Sequence, residues 1–211
     1  MSTLRSSLID ALQNYKTGIS SSRAEEFSRE ARIFISLAMQ PLAAHFTVNR
    51  LIEVFDFGFR HHLSWAADAG HISLLAADDG NAGFYVHYRG HLVLAGNYQI
   101  ISRCTAELIY ETDDFQYLGE DRRPNLARRP TKNPGDVVGG YTLSYLPDGS
   151  LLCLYFNYED LQKAEQMGIE AGNASFWTGP HRREMQRKSL IVCTAKRWTE
   201  LRLIKSGVKA A

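Results

Sequence analysis

Arg182, Arg183, Arg187 and Lys188 put four cations into seven consecutive positions. Trp177 and a Gly179-Pro180 break stand just upstream, His181 opens the basic stretch, and Lys196 and Arg197 extend it. A dense positive row beside a flat ring suits holding a polyanionic backbone while touching bases without reading them. Arg122, Arg123, Arg128, Arg129 and Lys132 form a second cluster, broken by prolines. Five basic residues face one acidic residue from Asp121 to Lys132, and eight face two from His181 to Lys205, although the net charge is only +1. Two basic segments on an otherwise acidic chain point to a localised anionic partner.

Competing chemistries leave weaker marks. Glu107, Glu111, Asp113 and Asp114 are the residues a metal-dependent nuclease would use, but adjacent turn carboxylates are ordinarily solvated. The histidines (His61, His62, His71, His87, His91) have no Cys/His partner at finger spacing. Cys104, Cys153 and Cys193 are odd in number and far apart, so reduced, buried thiols are expected. No G-x-x-x-x-G-K-[ST] loop exists, so no nucleotide cofactor is expected, and the solvated turn carboxylates and missing finger spacing predict no metal. No apolar run is long enough to span a bilayer and no signal pattern opens the chain, which makes the cytoplasm the expected address.

The elements that position these residues read as α+β. Leu8 to Leu12 suggests a short helix. Phe27, Ala31, Phe34, Ile35 and Ala38 follow helical spacing between Arg23 and Met39, with a Ser22/Glu25 capping box in front and Pro41 as the stop. Further helices are predicted over 47–57 and 60–69. Asp78 to Asn81 is a turn, followed by a strand over 84–87. Cys104 to Tyr110 alternates like a strand, and a turn at 112–114 predicts a return strand over 115–118. Residues 122–136 read as loop. Two strands, 137–146 and 151–158, flank the Pro147-Asp148-Gly149-Ser150 turn. Helices are predicted over 159–168 and 181–203. On the last, Met185, Ile191, Val192, Cys193 and Ala195 form the expected inner face. Trp177 is read as a packing staple or, among the DNA-contacting residues, a ring stacking on a base; Trp198 is read as core, and the basic loop as a clamp on a second strand or as the opposite wall of one trough shared with the basic helix.

Five blocks, in order over residues 84–198, resemble the RecT-type single-strand annealing proteins of phages. Tyr88-Arg89-Gly90-His91-Leu92-Val93-Leu94-Ala95 is similar to that family's YRG block. Tyr110-Glu111-Thr112-Asp113-Asp114-Phe115 is similar to its VYE segment, and Leu126 to Pro130 to an apolar–basic–proline piece. Pro147-Asp148-Gly149 resembles its KDG hairpin. Trp177, His181, Glu184-Met185, Arg187-Lys188-Ser189 and Lys196 fall on its terminal helix. Phe84-Tyr85-Val86-His87 is only a loose counterpart of the usual YLVP, and Trp198-Thr199 replaces a closing LP.

The resemblance implies a small antiparallel hairpin sheet packed on the long basic helix, similar to the Rad52 core, behind a helical N-terminal part. It implies an oligomerisation segment over residues 1–40, an annealing core over 41–205 and a short tail over 206–211. The implied activity is ATP-independent annealing of complementary strands by a ring or helical filament, with no covalent chemistry. Tyr88 and Arg89 join the DNA-contacting residues. Implied partners are single-stranded DNA, the annealed duplex intermediate and further copies of the chain. A phage exonuclease or host single-strand-binding protein is implied through a C-terminal part that would here be reduced to 206–211. A protein that coats single strands without annealing them is the remaining alternative.

Overall fold

The computed structural model describes residues 2–40, 45–77 and 79–205, with backbone alone at 2, 173 and 202–205. Pro41, Asp78 and the tail 206–211 lie outside the described residues. The chain folds as two compact units, Met1–Leu94 and Ala95–Ala211.

The first unit begins with three helices, α1 (Ser2–Lys16), α2 (Ala24–Ala38) and α3 (Val48–Arg60). The first helix runs longer than Leu8–Leu12 because both leucines are buried in the core with Phe27, Phe34, Leu51, Phe55, Phe59 and Trp65. Tertiary burial sustains a polar sequence that propensity alone leaves marginal. Helices α1 and α2 pack with α3 in this single core, so residues 1–40 share their apolar interior with the rest of the unit. The Ser22/Glu25 capping box is not formed. A 3-10 turn over Ser21–Arg23 leads into α2, and Arg23 stands at its N-cap without a side-chain cap bond. Thr47 caps α3 by accepting from the Arg50 amide at 3.4 Å.

The expected helix over 60–69 is absent. Glu30, only 2% exposed, accepts from the Trp65 amide at 2.9 Å and from the Ser64 hydroxyl at 2.9 Å. It takes the Trp65 amide that a helix would have used, and His62 turns left-handed at φ 57. Trp65 then lies against Gly58, where a Cβ would come within 2.8 Å of its indole nitrogen. Two antiparallel strands come next, β1 (Ile72–Ala76) and β2 (Ala82–Val86), in register from Ile72↔Val86 to Ala76↔Ala82. Helix α4 (Tyr88–Asn97) follows them.

The second unit contains β3 (Arg103–Tyr110), β4 (Asp114–Gln116), β5 (Asn125–Ala127), β6 (Val137–Tyr145) and β7 (Leu151–Asn157). Its antiparallel three-stranded sheet has the order β3-β6-β7. The predicted return strand does not pair with β3. Strand β4 pairs instead with β5, inside the expected loop, and β6 pairs with β3. The predicted turn joins β6 to β7, with Leu146 donating to the Ser150 carbonyl at 2.9 Å and Gly149 at φ 86. Helix α5 (Tyr158–Gly168) starts with a full capping box between Asn157 and Asp160. A π-helical turn, Ile169–Asn173, leads into α6 (Ala174–Thr178) and then α7 (Arg182–Lys205). The architecture is α+β, with a helical N-terminal part, small antiparallel sheets and a long C-terminal helix.

Candidate nucleic-acid interface

Side chains alternate across a strand, so the three-stranded sheet has two distinct faces. On one face Leu108 and Tyr110 meet Leu161 of α5 and Leu190 of α7. Thr142 and Thr194 share a hydrogen bond of 2.8 Å, and Trp198 donates to the Ser144 hydroxyl at 2.9 Å. Gly140 admits the helix, because a Cβ there would lie 2.6 Å from Leu190 Cδ1. On the other face Ile109, Tyr141, Leu143 and Cys153 pack against Phe115 and Leu126 of the β4–β5 layer. The basic helix and the basic loop therefore cover opposite faces of one sheet. The shared trough expected from sequence is corrected: the three-stranded sheet stands between its two supposed walls. The layers approach each other at the β7 edge, where the Glu120 carbonyl accepts from the Cys153 amide at 2.6 Å and Arg197 reaches the Glu120 carboxylate at 3.5 Å.

The inner face of α7 is Gln186, Leu190, Ile191, Thr194, Ala195 and Trp198. Ile191, Ala195 and Trp198 were expected there, while Met185, Val192 and Cys193 are only half-buried. The stripe runs through two polar residues because Thr194 has a sheet partner in Thr142. Arg183 and Arg187 continue this stripe at the start of the helix, seven and three residues before Leu190, while Lys196 lies on the far side. Arg183 is exposed, with its guanidinium 5.1 Å from the centre of the Tyr110 ring. His181 and Lys196 are exposed, and Lys196 has no carboxylate within salt-bridge distance among the described residues. Arg187 and Lys188 are half-buried and share Glu184, at 3.6 and 4.0 Å.

Two helix cations are held more firmly. Arg182 donates Nε at 3.0 Å and a terminal nitrogen at 2.8 Å to Glu165, and this hydrogen bonding raises its pKa further. Arg197 pairs with Glu200 at 2.8 Å as well as with Glu120. Trp177 is 3% exposed and packs on Gly168, where a Cβ would collide with the indole nitrogen. It is a packing residue, and the expectation that it stacks on a base is corrected. The neighbouring Phe176 is 52% exposed.

On the loop face, Arg128 is tied to Glu107 at 2.7 Å and to the Leu108 carbonyl at 3.4 Å. Arg122 lies 3.9 Å from Asp121, and both are well exposed. Arg123 donates to the Tyr145 hydroxyl. Arg129 and Lys132 are exposed without an ion pair among the described residues. Arg103, which sequence reading passed over, lies 4.5 Å above the Tyr145 ring. Its signal was faint, because a lone arginine at a strand start stands in no cluster. Tyr88 and Arg89 belong to the first unit, where Arg89 donates to the Tyr88 hydroxyl at 3.1 Å and to the Asp68 carbonyl at 3.2 Å. The next position is Gly90, because a Cβ there would collide with the His71 carbonyl.

The carboxylates of the nuclease alternative have structural duties. Glu107 holds Arg128, Glu111 accepts from the Asp136 amide at 3.3 Å, and Asp113 accepts from the Tyr110 amide at 3.0 Å. Among the described residues, no three His, Cys, Asp or Glu side chains gather as a metal cluster would.

Comparison with known families matches residues 69–206, well over half of the chain. The chain belongs to the RecT family. It is therefore a single-strand annealing recombination protein in its broad class. The RecT match takes in α4, the whole three-stranded sheet and α7, and leaves the first three helices outside it. No curated protein matches the chain. Among the described residues, no helix is long and apolar enough to cross a membrane.

Proposed function

We propose that this RecT-family chain binds single-stranded DNA through its phosphates and anneals complementary strands without ATP, as a ring or helical oligomer. The observation that supports the reading is the set of cations along α7. Arg183 and Lys196 have no carboxylate partner among the described residues, and Arg187 and Lys188, between them in sequence, share Glu184. Such cations attract phosphate without sequence preference and leave base edges open to a second strand. Arg129 and Lys132 are further cations able to meet phosphate, while Arg182 and Arg197 act mainly as ties to Glu165, Glu120 and Glu200.

The test pairs binding with annealing. Arg183→Ala with Arg187→Ala should weaken single-strand binding for all sequences alike. It should also flatten the salt dependence by about 0.7 in log–log slope for each phosphate no longer neutralised. An unchanged slope would remove these arginines from the DNA path. Mixing fluorophore- and quencher-labelled complementary strands with the protein should speed pairing, and added ATP should change nothing. Slowed pairing would favour a coating protein. Cleavage of labelled DNA in magnesium would favour the nuclease.

A further inference from the structure

We propose that the loop face of the β3–β6–β7 sheet carries a second single-strand site, separate from α7 and built by Arg103 and Arg123 around Tyr145. The proposal rests on the annealing reading above and adds where the second strand is held. Arg103 and Tyr145 are register partners on β3 and β6, so the guanidinium 4.5 Å above the ring is fixed by the sheet. Arg123 comes from the covering loop and donates to the hydroxyl of the same ring. Among the described residues, neither arginine has a carboxylate within 4.0 Å. Arg128, Arg182 and Arg197 in the same unit each have one. Two guanidiniums held on one neutral phenol repel each other, and an anion between them relieves that repulsion. Their planar donor forks match phosphate.

The same face supplies rings for bases. Tyr141, Phe115, Tyr155 and Tyr117 form a row with centroid spacings of 5.7, 5.5 and 5.8 Å. Tyr155 is 42% exposed and Tyr117 39%, so the outer end of the row is open to solvent. Tyr141 and Tyr145 lie four residues apart on β6, roughly 13 Å along the strand. The clamp is thus offset along the strand by the span of a few nucleotides from a ring row that crosses from β6 to β7, where Tyr141 and Tyr155 are register partners. Aromatic rings beside unpaired cations are the usual platform for a single strand. The sheet keeps this face from any strand lying on α7, so strands held on the two faces of one copy cannot pair with each other. Pairing then needs the loop face of one copy to meet the helix face of another.

The experiment uses the full chain and two labelled oligonucleotides. Anisotropy of a labelled oligothymidylate reads capture of the first strand, and a fluorophore–quencher pair of complementary strands reads annealing. Arg103→Gln with Arg123→Gln should leave first-strand affinity within about twofold and slow annealing about tenfold or more, whereas Arg183→Gln with Lys196→Gln should weaken the first strand about tenfold. Arg103→Lys with Arg123→Lys, keeping both charges, should restore at least half of the annealing rate. Normal annealing in the Gln pair overturns the site. So does failure of the Lys pair with a lowered melting temperature, which marks a folding role. Loss of self-association by sedimentation in the Gln pair also overturns it, since the face would then be a protein contact. Loss of first-strand capture in the Gln pair, with the α7 pair normal, overturns the division of labour. If the unaltered chain fails to anneal, the underlying reading falls with it.

Discussion

At the scale of single residues, burial decides chemistry. Trp177 and Phe176 are neighbours, yet one is 3% exposed and the other 52%. Trp177→Ala should destabilise the second unit by about 3–5 kcal/mol, the cost of emptying a large aromatic site. Phe176→Ala should leave the melting temperature nearly unchanged. Thermal unfolding of the two variants checks the contrast. The cysteines obey the same rule. Burial pushes the Cys104 and Cys153 thiols up to about 11 and raises Cys193 as well. A raised folded pKa stabilises below the ordinary thiol value of 9.0, and that stability is lost as pH climbs from there through about 11. All three thiols should react slowly with a thiol-specific dye near neutral pH and quickly once guanidinium unfolds the chain, because the thiolate is the nucleophile.

At the scale of elements, α7 both packs the sheet and carries cations. Its inner stripe grips the sheet, and Leu190→Ala should cost about 2–5 kcal/mol there. Its cations are partly neutralised by acids of the same unit. Glu165, half-buried, holds Arg182 with two guanidinium nitrogens. Glu165→Gln should release Arg182 towards phosphate and raise single-strand affinity several-fold, at a stability cost of about 1 kcal/mol. Anisotropy and a melting curve on the same variant read both effects. An unchanged affinity would show that Arg182 stands outside the phosphate path.

At the scale of the whole molecule, the two units differ in their response to acid. His71, His87 and His91 all lie in the first unit, and burial lowers each pKa below the ordinary 6.5. For His71 the nearby Glu30 opposes the shift and Arg89 adds to it, and His87 adds to the shift of His91. Depressed histidines stabilise the fold above 6.5, and that stability is lost as pH falls through the folded values. Melting monitored by calorimetry should therefore show the first unit falling ahead of the second between about pH 7 and about pH 5. A single transition that keeps its shape would refute this.

Local rules made much of this legible in advance. Helical spacing of Phe27, Ala31 and Phe34, the Pro-Asp-Gly turn and the alternation from Cys104 to Tyr110 needed only short-range sterics and burial periodicity. The five blocks gave the family because their order survives in the linear chain. Other features depended on partners remote in sequence. Glu30 unmade a helix some way along the chain by taking the Trp65 amide, Gly168 gave Trp177 a buried seat, and β6 rather than β4 paired with β3. Which face of the sheet each basic segment covers is the largest such decision. Charge is a property of composition, but the side on which it lies is set by strand alternation and by which apolar residues, Leu190 or Phe115, find the sheet beneath them.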